Sequence, residues 1–152
     1  MTPTKAKKLL EYYLDLVCKA KENFNKSLEK CKQIDINQDI SFEDQESLDS
    51  LSSKFARISD ILTQKLLTYF VILNREETRT FIDKANFAEK VGIVENANIL
   101  ISIRDLRNEI SHEYINENLC ELYKNLIDLS YELLRIIQNS IDYSIKLLEK
   151  NI

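Results

Sequence analysis

From about Lys5 to Cys31, the apolar residues Leu9, Leu10, Tyr13, Leu16, Val17, Ala20, Phe24 and Leu28 recur at steps of three and four. That spacing predicts one stripe of a long amphipathic helix. The period is lost from Gln33 to Asp44, where acids, Asn and Ser gather, so a solvated connection is expected there. It returns from about Gln45 with Leu48, Leu51, Phe55, Ile58, Leu62, Leu66, Tyr69 and Leu73, the alternation of bundle packing at shallow crossing angles. This helix should be central. Polar residues from Asn74 to Thr80 end it, and Phe81 to Val91 reads as a shorter helix that Gly92 can close in a left-handed cap. A further helix is expected from about Glu95 to Tyr114, with Ile99, Ile103, Leu106 and Ile110 on its apolar face. The last begins near Asn116 or Asn118, either of which can cap it, and runs through Leu119, Leu122, Leu126, Leu129, Leu133, Ile136, Ile137, Ile141, Ile145 and Leu148. The expectation is an all-α, antiparallel up-and-down bundle of about four long helices and one short one, with residues 1–152 as a single domain.

Composition narrows the chemistry. The 152 residues include one Gly and one Pro, too few for turn-rich β architectures or for glycine-rich loops that cradle phosphates. The formal charge of −4 is local: six acids and no base lie between Asp35 and Asp49, and the remainder is nearly balanced. No global field gathers nucleic acid, no DNA partner is expected, and any RNA binding needs a local basic patch. Lys5, Lys7, Lys8, Lys19 and Lys21 read as a solvated helix face. Cys18, Cys31 and Cys120 are odd in number and widely spaced, as in a cytoplasmic protein with reduced thiols. The longest apolar run, Leu66 to Leu73, is far short of the ~20 residues that span a membrane. Glu11 and Asp15 interrupt what would be the apolar part of a signal peptide.

The fourth predicted helix carries the candidate chemistry, Arg104-Asp-Leu-Arg107-Asn108-Glu-Ile-Ser111-His112-Glu-Tyr114, including the chain's one histidine. At about 100° per residue, Arg104, Arg107, Asn108, Ser111 and His112 fan across the sector beside the apolar face. Arg107 and His112, five apart, stand about 140° around the axis, a spacing that suits convergence on something outside the helix, most simply a phosphate. Imidazole titrates near neutrality and guanidinium is a permanent planar fork for phosphate oxygens. The two suffice for RNA cleavage without a metal: His112 takes the 2′-hydroxyl proton, that oxygen attacks phosphorus, and Arg107 stabilises the developing charge. A histidine near a helix C-terminus can equally be a capping residue, and Arg107 can equally pair with a glutamate one turn away.

The run Arg107-Asn108-x3-His112-x-Tyr114 resembles the signature of the HEPN superfamily, specifically its HepT-like branch. Phe55-Ala-Arg57-Ile-Ser-Asp60-Ile-Leu and Ala88-Glu-Lys-Val-Gly92-Ile-Val-Glu resemble that branch's second helix and the turn before its motif helix. The resemblance implies a helical homodimer with a composite cleft where two motif helices meet. It implies a metal-independent ribonuclease toxin of a type VII toxin–antitoxin pair, with no cofactor. Arg107 would bind and stabilise the phosphate, His112 would be the acid–base residue, and Asn108 and Ser111 would support them. Arg104 would be an auxiliary phosphate contact. The partner implied is a minimal, MntA-like nucleotidyltransferase that neutralises the toxin by AMPylation of the motif tyrosine, here Tyr114. Tyr114 also sits where it can simply close the core, and Arg57 and Asp60 are spaced as a local ion pair or as supports of the motif helix.

Two other classes compete. Glu109 and His112 have the Glu-x-x-His spacing of helical di-iron sites, but the apolar stripes offer no inward glutamate on two further helices. A non-catalytic subunit that binds a nucleotidyltransferase through the motif face would need Arg107, Asn108 and Tyr114 but no acid–base histidine.

Overall fold

Thr2 and Pro3 start the first helix earlier than the apolar stripe suggests. The Thr2 hydroxyl accepts from the Lys5 amide at 3.2 Å, Pro3 occupies the first helical turn, and α1 runs Pro3–Cys31. In this computed structural model residues 1–77, 80–112 and 119–150 are described. Ser41 caps α2, Phe42–Asp60, by accepting from the Asp44 amide at 3.1 Å, with Glu43 and Asp44 in the first turn where the helix dipole favours anions. The helix continues without interruption through a π-helical turn, Ile61–Leu66, into α3, Leu67–Leu73. All eight positions of its predicted stripe are buried, and Ile61, Leu67, Phe70 and Val71 are buried as well, so this is the central element.

Next come α4, Phe81–Lys90, α5, Asn98–Ser111, and α6, Leu119–Glu149. The described residues contain no strand. Contacts between elements fix the directions. Phe24 meets Phe55 edge to face and the Tyr13 and Tyr69 rings pack at a tilt, so α1 and the α2–α3 rod are antiparallel. Tyr123 donates to Asp49 at 2.9 Å at one end and Asn74 donates to Tyr143 at 2.8 Å at the other, so α6 runs parallel to that rod. Lys21 meets Gln138 where α6 passes antiparallel to α1. One cavity places Ser102 and Glu109 of α5 beside Asn125 and Asp128 of α6, and another sets Ile99 beside Arg135, which makes α5 antiparallel to α6. The result is the expected up-and-down bundle, with α4 as the short extra helix.

Several boundaries and faces differ from the expected ones. α5 ends at Ser111, not Tyr114: the Ser111 hydroxyl bonds back to the Asn108 carbonyl at 2.9 Å, and His112 is the C-cap residue with φ −84° and ψ 3°. Leu100, absent from the predicted α5 face, is fully buried, whereas Ile99 and Ile110 are only partly covered. Leu16 and Ile145 remain 38% and 46% exposed, because each stripe is wider than the contact its neighbours provide. Tyr114, Asn116 and Asn118 lie outside the described residues. The three cysteines form no disulfide; buried Cys31 donates to the Ser47 carbonyl at 3.3 Å, and burial pushes its thiol pKa up. Among the described residues no helix is long and apolar enough to cross a membrane.

Candidate functional site

α4 and α5 form the site because both ends of α4 are pinned. At its start Thr80 and Asp83 make a reciprocal capping box, with N–H···O distances of 3.1 and 3.2 Å. At its end Gly92 takes φ +83°, and the Ile93 amide reaches back to the Ala88 carbonyl at 2.9 Å. α4 then caps α5: the Glu89 carboxylate accepts from the Ala97 amide at 2.8 Å, placing an anion at the helix start. The two helices are thereby locked as a unit before either touches a ligand.

Arg107 projects from α5 onto Asp60, the last residue of α2 before the π turn. Its Nε and Nη2 donate to the two carboxylate oxygens at 2.8 Å each, a fork-to-fork pair. The side chains are 28% and 32% exposed. The Asp60 hydrogen bonds hold the Arg107 guanidinium above its ordinary pKa, against the opposing effect of burial. Asp60 therefore ties the end of α2 to α5, and no ion pair between it and Arg57 is formed among the described residues. Arg104, one turn earlier, lays its guanidinium over the Phe81 ring, 4.3 Å from the centroid.

These side chains border a cleft of about 360 Å³ that also includes Asn108, Thr63 and Lys84. Lys84 donates to the Thr63 carbonyl at 3.4 Å, inside the π-helical turn, and burial pushes its amine below the ordinary lysine pKa. Three cationic side chains face one carboxylate, so the cleft suits an anion. Size does not single it out. A cavity of about 350 Å³ lies between the Gly92–Asn96 turn and α6, and another of about 390 Å³ lies between α5 and α6. The latter is lined by Asp105, Glu109 and Asp128, a set that repels phosphate. Charge, not volume, distinguishes the α4–α5 cleft.

Of the residues singled out in the sequence, Arg104, Arg107 and Asn108 come together. Ser111 and His112 are exposed at the end of α5 and do not border this cleft. Tyr114 lies outside the described residues. Lys84 and Phe81 were missed, since they sit on another helix and belong to no motif; the capping box at Thr80 was the one local signal that a fixed helix begins there. Among the described residues no three His, Cys, Asp or Glu side chains are grouped so as to hold a metal ion. The fold and site thus define an all-α bundle with a cationic cleft. Compared with protein-family models, curated proteins and solved structures, the chain matches none.

Proposed function

We propose that this chain is a HEPN-type, HepT-like ribonuclease that acts as a homodimer and as the toxin of a type VII toxin–antitoxin pair. The observation that carries the reading is the cationic α4–α5 cleft, in which Arg107 is held rigidly by Asp60 beside Arg104 and Asn108. The pair with Asp60 uses two of the five guanidinium N–H groups, and the others are the donors for a phosphate oxygen. His112 stands at the C-terminal end of the same helix, exposed to a ligand that extends past the cleft. In the reaction, His112 removes the 2′-hydroxyl proton and the O2′–P bond forms. The P–O5′ bond then breaks, and the 5′ oxygen leaves with a proton returned by an imidazolium. The products are a 2′,3′-cyclic phosphate and a 5′-hydroxyl. A second copy of α5 facing the first would bring another His112 to the scissile bond. A nucleotidyltransferase partner would silence the dimer by adding AMP to Tyr114.

One observation favours a second reading, a non-catalytic binding subunit of a nucleotidyltransferase: Arg107 is engaged by Asp60, and His112 does not border the cleft. Cleavage of single-stranded RNA in EDTA by the purified chain separates the two. For a nuclease, His112→Ala should lower the rate by about 10²–10⁴-fold, and Arg107→Ala by about 10²–10³-fold, in folded proteins. Wild-type cleavage rates in both variants would exclude this nuclease. No cleavage by any form, together with AMP transfer to Tyr114 by a partner, would establish the binding subunit.

A further inference from the structure

The proposed reaction gives Lys84 no step, although its side chain borders the cleft. Its place follows from the rod beneath it. Lys84 donates to the Thr63 carbonyl at 3.4 Å, and Arg107 is held by Asp60, three residues earlier on the same continuous helix. Residues three apart share one side of a helix at a separation of about one turn, roughly 5 Å, so both cations are anchored to one stretch of the cleft floor. On α4, Phe81 stands three residues before Lys84 and carries the Arg104 guanidinium 4.3 Å above its centroid. Each arginine is thus tied to a residue one turn from Lys84 or from its hydrogen-bond acceptor.

These surroundings favour the neutral amine. Lys84 is partly buried, its hydrogen bond to Thr63 is long, and among the described residues no carboxylate pairs with it. Burial lowers its pKa, as described above. Both oxygens of Asp60, the carboxylate of the cleft, are taken by Arg107, and Arg104 adds a further positive charge. A desolvated, neutral lysine amine is a nucleophile, which an ammonium is not. Lys19 and Lys26, by contrast, extend into solvent and pair with Asp15 and Glu22.

We propose that Lys84 is an acylation site, modified by an acyl phosphate whose phosphoryl group is held by Arg104 and Arg107. The cleft then supplies an anion holder and a nucleophile side by side. The amine attacks the acyl carbonyl and the N–C bond forms. The C–O bond to the phosphoryl group breaks, and phosphate leaves with that electron pair and takes up the proton lost by the amine. The product amide is neutral, so the cleft loses one of its three cations and part of its attraction for any anionic ligand. The inference needs the cleft and not the RNA reading above.

The test is incubation of the full chain with acetyl phosphate, with the acetylation of each lysine followed by mass spectrometry. Lys84 should react at least about tenfold faster than Lys19 and Lys26. Its rate should saturate with acetyl phosphate and fall when inorganic phosphate competes, while the rates at Lys19 and Lys26 rise linearly and ignore phosphate. Arg104→Gln, which leaves the Asp60–Arg107 pair in place, should slow Lys84 about tenfold and leave Lys19 and Lys26 unchanged. A Lys84 rate no greater than that of the two surface lysines, or one that neither phosphate nor Arg104→Gln reduces, would overturn the proposal.

Discussion

Asp60 and Arg107 lie 47 positions apart and make a bidentate charged contact, two parallel hydrogen bonds of 2.8 Å between partly covered groups. Cutting it leaves a guanidinium with one edge desolvated and unpaired, the asymmetry that makes such losses cost more than the bond contributes. Asp60→Asn is expected to lower the unfolding free energy by about 1–2 kcal/mol in urea titrations, with a coupling of about 1 kcal/mol to Arg107→Gln in a double-mutant cycle. Additive effects would mean that the pair holds nothing together. Tyr123 gives a pH prediction. It is buried and donates to Asp49, and burial followed by that bond raises its phenol above the ordinary 10.0. The folded state therefore keeps a proton that the unfolded chain releases, so the stabilisation is complete below about pH 10 and falls as pH rises toward the folded-state value. Urea midpoints should drop as pH rises above about 10, and Tyr123→Phe should flatten that drop in part, since Tyr69 and Tyr143 are also shifted upward by burial. An unchanged pH profile in the variant would show that Tyr123 titrates alike in both states.

Gly92 terminates α4 with φ +83°, and a Cβ added there would meet nothing within 4 Å. Any penalty for Gly92→Ala is then purely backbone strain, about 1–2 kcal/mol by urea unfolding, with Gly92→Asn losing less because Asn tolerates the left-handed region. Equal loss in both variants would point to a cause other than the backbone. The long periodic stripes were readable from spacing, because burial of one helix face leaves a three-and-four rhythm, and this turn was readable from the glycine itself. Two features were not readable. The π turn at Ile61–Leu66 has a side-chain pattern that an α-helix would also carry, since Thr63 simply bonds back to the Ser59 carbonyl at 2.9 Å. Lys84 and Phe81 looked like ordinary members of a short amphipathic helix until α4 was seen packed against α5. Arg104, Arg107 and Asn108 could be grouped in advance, because residues three and four apart on one helix share a side wherever the helix goes. The choice of Asp60 over Arg57 or a neighbouring glutamate is a tertiary matter, and spacing along one helix carries no information about it.

The bundle places Arg107 in a cleft and His112 beyond the last turn of the same helix, exposed and not bordering that cleft. Within one chain the two groups thus face different parts of the surface. A long, extended ligand can meet both, and so can a short one if a second copy of α5 faces the first, which is the arrangement the HEPN resemblance implies. The two cases differ in what mixed dimers do. If catalysis joins Arg107 of one subunit to the partner subunit's His112, then Arg107→Ala and His112→Ala proteins, each inactive alone, should regain part of the wild-type rate of RNA cleavage once unfolded together and refolded. The mixed dimers formed would retain one intact pairing across the interface. A mixture that stays as inactive as its components, while gel filtration and subunit exchange show mixed dimers forming, would place both groups of each working site on one chain. The extended single-stranded ligand would then be what brings them together.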